Sequence, residues 1–287
     1  MSLKGIAKET LEILEAGGYV NGAGARVDFR AEQRAAIAGT VLYTPEQGAA
    51  LLAGPGGSEN PGGPLGAGTA LIEVTDETTQ AAAARLVQDE GCADLALLNF
   101  ASARNPGGGF INGARAQEED LSRASGIYPC LLAQPEFYAV NRAQSSLLYT
   151  DHVIYSPGVP WFRTRNRELL ERFFLAAVIT APAPNAGEVL RRDPAAGPAI
   201  EAALRRRAGI VLAVARAQGH RTLLLGAWGC GVFRNDPPMV ADAFGDWLAR
   251  PQFRGCFERV VFAIYDSSQG QATLRAFQER FPPYPLG

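Results

Sequence analysis

The chain has 287 residues, of which 47% are hydrophobic, and a formal net charge of −2. That length can bury a substantial core in one large α/β domain or two smaller ones, while the near-neutral charge argues against a protein that wraps duplex nucleic acid, which needs a broad positive surface. No apolar run reaches the length of a membrane span and the first residues lack the apolar core of a secretory signal, so a cytoplasmic protein with no membrane partner is expected.

In chain order, residues 4 to 16 carry a helical stripe of Ile6, Leu11, Ile13 and Leu14, and Gly17-Gly18 supplies a stop. Residues 27 to 29 read as a short strand and 30 to 39 as a helix. From Gly48 to Gly68 the chain is rich in Gly, Pro and Ala and ends in Asn60-Pro-Gly-Gly-Pro-Leu-Gly, which predicts an exposed loop without regular structure. Residues 1 to 68 are therefore expected to form an N-terminal accessory region packed on a core domain of residues 69 to 287.

From Thr69 onward strands and helices alternate. The pattern predicts a strand at 70 to 74, a helix at 77 to 88 capped by Thr75 or Asp76, a buried strand at 95 to 99, helices at 122 to 132 and 136 to 141, and a strand at 153 to 155. Ser156-Pro-Gly-Val-Pro-Trp-Phe-Arg reads as a loop. Then come strands at 173 to 180, 222 to 225 and 259 to 264. Helices follow at 199 to 217, with Ile200, Leu204, Ile210, Val211 and Val214 for burial, at 239 to 248 and at 271 to 281. Such alternation implies a largely parallel sheet covered on both faces.

One stretch concentrates chemistry. Asn99-Phe-Ala-Ser-Ala-Arg-Asn-Pro leaves the buried strand at its carboxyl end, where open α/β sheets place ligands. Gly107, Gly108 and Gly109 follow, letting the backbone come close to a ligand and present bare N–H groups. After a seven-residue gap comes Gln117-Glu118-Glu119, at the start of a helix-forming segment. Alone, a glycine triplet is a flexible turn and a Glu-Glu pair is a solvated helix start favoured by the helix dipole. Together, after a buried strand, they place carboxylates beside a glycine loop.

A second glycine loop follows the strand at 222 to 225, reading Gly226-Ala-Trp-Gly-Cys-Gly-Val-Phe-Arg-Asn-Asp-Pro-Pro. Its N–H groups and the positive end of the helix after it suit phosphate oxygens. It is neither a Walker loop nor a dinucleotide fingerprint, because the lysine is missing and the glycine spacing differs. Two such loops would grip a ligand with a diphosphate at its centre.

The remaining inventory excludes competing chemistries. Lys4 and Lys8 are the only lysines, so Schiff-base chemistry is absent from the body of the protein. His152 and His220 are the only histidines, too few for a three-histidine metal site, and neither sits in a triad-like context. Cys92, Cys130, Cys230 and Cys256 show no Cys-x-x-Cys spacing and read as reduced thiols. No metal and no cofactor are expected.

The glycine triplet, the gap and Gln117-Glu118-Glu119, with the flanks Asn99-Phe-Ala-Ser-Ala-Arg-Asn-Pro and Gly113-Ala-Arg-Ala, resemble the signature of the bacterial-type poly(ADP-ribose) glycohydrolases. The resemblance implies a macrodomain-like three-layer α/β/α fold with a mixed, largely parallel sheet. It implies hydrolysis of the 1″–2′ ribose-ribose bonds of poly(ADP-ribose), with ADP-ribose as product, ADP-ribosylated proteins as partners, a place in the DNA damage response and a monomeric state. A non-catalytic ADP-ribose reader and a mono-ADP-ribosyl-protein hydrolase are the alternatives.

By the same resemblance Glu119 is the general acid and base and Glu118 holds ribose hydroxyls, with Gln117 and Asn105 helping. Gly226, Gly229, Cys230, Gly231 and Val232 line the diphosphate, and Phe233 packs on the ribose next to the scissile bond. Adjacent helical residues project about 100° apart, so the two glutamates are not expected to face one another across the bond as in ordinary glycosidases. For Glu119 to donate a proton near neutral pH its pKa must exceed the free value of about 4.3, and a like charge beside it with partial burial pushes it that way.

Overall fold

The computed structural model describes residues 2–54, 70–164 and 168–282. Its strands are β1 (Gly18–Val20), β2 (Arg26–Asp28), β3 (Val41–Tyr43), β4 (Leu71–Thr75), β5 (Leu95–Phe100), β6 (Val153–Arg163), β7 (Leu169–Ala181), β8 (Thr222–Gly226) and β9 (Arg259–Ala263). Its α-helices are α1 (Leu3–Ala16), α2 (Arg30–Gly39), α3 (Pro45–Ala53), α4 (Thr79–Ala84), α5 (Gln117–Ala124), α6 (Ile127–Leu132), α7 (Pro135–Ala143), α8 (Ala186–Arg192), α9 (Gly197–Ala217), α10 (Pro237–Leu248) and α11 (Ala272–Arg280).

Seven strands form one sheet in the order β3-β6-β7-β5-β8-β9-β4, and β1 pairs separately with β2. From β7 to β4 every pairing is parallel, while β6 runs antiparallel to β7 and β3 antiparallel to β6. The apolar run Leu95 to Leu98 is buried on both faces, as a central parallel strand requires. One apolar layer joins the sheet to α9, α10 and α11, with Ile200, Leu204, Ile210, Val211 and Val214 all buried, and a second packs Leu121, Ile127, Leu131 and Phe137 on the opposite face. The result is the expected three-layer arrangement.

Several elements differ from expectation. Ser156 to Arg163 continues β6 rather than forming a loop: the Pro157-Gly158 pair is absorbed where the register shifts between Ser156 and Val159, with Gly158 at φ 50. β3 covers β6 only as far as Tyr155, so the prolines beyond sit where no neighbour asks for their missing N–H. Helix α3 occupies residues that composition assigned to a loop. A capping box starts it, Thr44 accepting from the Gln47 N–H and Gln47 from the Thr44 N–H, with Pro45 in the first turn. The cap of α4 is Thr78, not Thr75 or Asp76. The predicted helix at 122 to 132 is two helices, broken at Gly126, where a Cβ would lie 1.7 Å from Gln33 Oε1. Of the loop expected from Gly48 to Gly68, residues 55 to 68 lie outside the described residues.

The N-terminal elements touch the stretch that carries the acidic pair. α1 packs on α5 and on the 3₁₀ turn Phe110–Asn112. The Arg163 guanidinium, buried beneath it, donates to Thr10 Oγ1 at 3.0 Å and to the Arg123 carbonyl at 3.3 Å, and pairs with Glu9. Burial holds its pKa below the usual arginine range.

Candidate active site

Asn99 is the last fully buried residue of β5, and the chain then turns through Ser102 into the glycine triplet. Gly107 and Gly108 take φ of 67 and 58, a left-handed conformation that favours glycine. The turn closes with the Gly108 N–H on the Asn105 carbonyl at 3.0 Å and the Asn105 N–H on Ser102 Oγ at 3.2 Å. The Asn105 side chain is exposed on the rim.

Helix α5 begins at Gln117 with no side-chain cap and carries Glu118, Glu119 and Asp120 in its first turn. Gln117 locks this end to β5: its Oε1 accepts from the Phe100 N–H at 2.8 Å and its Nε2 donates to the Leu98 carbonyl at 2.8 Å. Both ends of the amide are therefore engaged by the sheet. Glu118 Oε2 accepts from the Ser102 N–H at 2.7 Å, and its Oε1 from Asn99 Nδ2 at 3.2 Å, which also donates to Thr180 Oγ1 at 3.1 Å. Glu119 Oε1 accepts from the Gly109 N–H at 2.9 Å.

The two carboxyl groups converge on one point of the backbone. A Cβ at Gly108 would stand 2.3 Å from Glu119 Oε1 and 3.2 Å from Glu118 Oε2. Separation around the helix thus does not stop both from reaching the same glycine. Glu119 is half-buried, while Glu118 is 2% exposed. The sequence placed the burial effect on Glu119, but the carboxyl sealed from water is Glu118. Its pKa is pushed up to about 8, first by that burial and further by the Glu119 charge, against hydrogen bonds from Ser102 and Asn99. Desolvation outweighs the helix dipole and two donors.

The second loop leaves β8, the neighbour of β5, and the two loops meet at their bases: a Cβ at Gly226 would lie 2.9 Å from the Phe100 ring and 2.8 Å from the Ala263 carbonyl. Trp228 anchors the loop with Nε1 on the Ala181 carbonyl at 3.1 Å. Gly229 takes φ 74 against Ala183 and Asn235, while Gly231 faces open space. Cys230 is half-buried and desolvation raises its thiol pKa. Val232 is 75% exposed at the tip, and Phe233 sits 6.0 Å from the Tyr149 ring, centroid to centroid. Asp236 then caps α10, whose first turn holds Pro237 and Pro238.

Three further features lie outside the residues singled out by the sequence. Tyr149, a bulky residue at φ 60, lies beside Phe233. Tyr138 is buried, its hydroxyl without a hydrogen-bond partner among the described residues, and burial holds its pKa well above the usual range. An open cleft of about 590 Å³ lies at the ends of β9 and β4, lined by Asp76, Tyr265, Asp266, Gln271 and Arg275. Asp76 and the residues after β9 follow strands, as ligand-facing loops in such sheets do, and this offered a cue. Cys92, Cys130 and Cys256 lie away from both loops, as do His152 and His220, which bond Thr150 and Tyr155 respectively. Among the described residues no cluster of three or more His, Cys, Asp or Glu could hold a metal ion, and no helix is long and apolar enough to cross a membrane.

A sheet whose carboxyl edge carries two glycine loops, with an acid pair folded against one of them, is a macrodomain-like architecture equipped for work on a phosphorylated sugar. The profile described as "Microbial-type PARG, catalytic domain" matches residues 7–164. The poly(ADP-ribose) glycohydrolase of Thermomonospora curvata superposes with a TM-score of 0.89 at 46% identity, covering 97% of this chain and 99% of that one. Its complex with the inhibitor ADP-HPD gives a TM-score of 0.87 at 47% identity, with the same coverage. The Deinococcus radiodurans enzyme in complex with ADP-ribose gives 0.78 at 47% identity, covering 87% of this chain and 97% of that one. No curated protein sequence matches. The chain belongs to the microbial-type poly(ADP-ribose) glycohydrolase family, whose members are glycoside hydrolases acting on poly(ADP-ribose).

Proposed function

We propose that this chain hydrolyses the ribose-ribose 1″–2′ bonds of poly(ADP-ribose) and releases ADP-ribose, with Glu119 as the proton-transferring acid. The observation that carries the reading is the convergence of Glu118 and Glu119 on Gly108, beside a second loop whose Gly231 opens to solvent. Neighbouring strands lie about 4.8 Å apart, so the row β5, β8, β9, β4 offers a track for an elongated ligand. The distal ribose lies over the first loop, the diphosphate on the second, and the adenosine end in the cleft by Asp76 and Tyr265.

Protonated Glu119 gives its proton to the leaving 2′ oxygen as the bond from C1″ breaks. Water then adds to the cationic sugar carbon and returns a proton to Glu119. Negative charge of the bound diphosphate stabilises the oxocarbenium character. Glu118, buried and with a pKa raised to about 8, stays largely protonated near neutral pH and donates to a ribose hydroxyl. Gln117 acts through α5, by fixing its start to β5, rather than on the sugar.

The finer setting belongs to the same proposal: a cytoplasmic monomer serving ADP-ribosylated proteins, with residues 1 to 68 as an accessory extension whose first helix braces α5. The test is Glu119→Gln, assayed by ADP-ribose release from polymer and by calorimetry with ADP-ribose. The amide keeps the shape but cannot cycle a proton, so turnover is expected to fall about 1,000-fold while affinity stays within about twofold. Turnover that survives the substitution refutes the role of Glu119. Binding without turnover in the unmodified protein would instead make it a reader.

A further inference from the structure

The described residues leave a basic rim that the reading above does not use. Arg104, in the turn before the glycine triplet, is exposed, and its carbonyl is held by Arg142 Nη1 at 2.6 Å. Arg234, at the end of the second loop, is exposed, with φ 56 and its side-chain stem against Gly187 at the start of α8. Among the described residues neither Arg104, Arg142 nor Arg234 forms an ion pair. On the neighbouring helix α8, Arg191 and Arg192 are by contrast both bound to Glu188. On a chain of net charge −2 these guanidinium groups are left without a carboxylate bound to them.

Tyr149 stands at the centre of the rim. It is half-buried, strained at φ 60 and packed on Phe233. Burial raises the pKa of its hydroxyl, against a hydrogen bond with Asn185 and the nearby positive charges of Arg104 and Arg192. A bulky residue held in a costly backbone conformation marks a place where function fixes geometry.

The position of the rim follows from the sheet. Tyr149 enters β6, and Gly187 follows the end of β7, on the side of β5 away from β8. If the adenosine end occupies the cleft at β9 and β4 and the distal ribose lies over β5, the group attached to that ribose leaves toward β7.

We propose that Arg104, Arg234 and Tyr149 form a subsite for the next ADP-ribose unit of the polymer, the guanidinium groups taking its diphosphate and the tyrosine ring its adenine. Planar guanidinium groups suit phosphate oxygens, and an aromatic face accepts any base. The inference rests on the hydrolase reading and adds polymer preference to it: a lone ADP-ribose does not reach the rim, whereas a chain does.

The test is the double variant Arg104→Gln and Arg234→Asn, asparagine being chosen because it tolerates the left-handed backbone. Wild-type hydrolysis of polymer is measured first; its absence sinks the hydrolase reading and the subsite with it. With wild-type turnover established, the variant is expected to raise KM for polymer about tenfold or more at unchanged kcat. The salt dependence of KM should flatten, and calorimetric affinity for free ADP-ribose should hold. Arg104→Lys with Arg234→Lys should recover part of the loss. An unchanged KM overturns the subsite, as does an equal loss of affinity for free ADP-ribose, which would assign the rim to the first unit.

Discussion

In the loop after β5 a Cβ added to Gly107, Gly108 or Gly109 would stand 2.9 Å or less from Phe110, Glu119 or Ala114, whereas in the loop after β8 one added to Gly231 would meet nothing within 4 Å. Glycine thus serves two purposes in this molecule. The first loop is tight because the protein's own acid pair packs against its backbone; the second is open at its tip, which leaves room there for a ligand. Gly226 and Gly229 belong with the first case, being packed on Ala263 and Ala183, so only Gly231 reports on a ligand without reporting on the fold.

The largest expected effect comes from closing the first loop. Gly108→Ala puts a methyl group 2.3 Å from Glu119 Oε1 and strains a backbone at φ 58, so polymer hydrolysis should drop about 100-fold, the order expected for a misplaced catalytic group. Activity within threefold of wild type would show that the contact between loop and acid is dispensable. Gly231→Val should leave the thermal midpoint unchanged and weaken ADP-ribose binding about tenfold by crowding the phosphates, about 1.4 kcal/mol in a titration. Equal affinity would make the second loop a plain turn.

The smallest effect separates the two glutamates by pH. Burial raises the Glu118 pKa to about 8 in the folded chain, against about 4.3 when unfolded, so folding favours its protonated form. The stability this group contributes is complete below about pH 4.3 and is lost as pH rises through about 8. Glu118→Gln does not titrate there, so between pH 5 and pH 8.5 the Tm of the wild type should fall relative to that of the variant, on the order of 5 °C. Parallel curves would mean that water reaches the carboxyl.

Sequence alone disclosed the strand order of chemistry along the chain, because Leu95 to Leu98 and Thr222 to Leu225 are apolar runs that end in glycine clusters. It did not disclose how the acids sit. Helical spacing says where Glu118 and Glu119 leave the helix axis, but which one is sealed from water depends on Ser102 and Asn99, brought in by β5, and on the fold of the glycine loop. Ser156 to Arg163 misled for a related reason: its prolines look like loop breakers until the short reach of β3 leaves that side of β6 without a partner needing N–H groups. Tyr149 gave no signal at all, since a positive φ is written in tertiary contacts and not in the identity of a tyrosine.

Arg163 ties the first helix of the chain to the carbonyl of Arg123, at the far end of the helix that carries both glutamates. An unbiased screen for inactive clones should therefore return hits at Glu9 and Thr10 alongside those at the acid pair, and a fusion partner spliced onto that helix would be felt by the enzyme's chemistry before it was felt by its solubility.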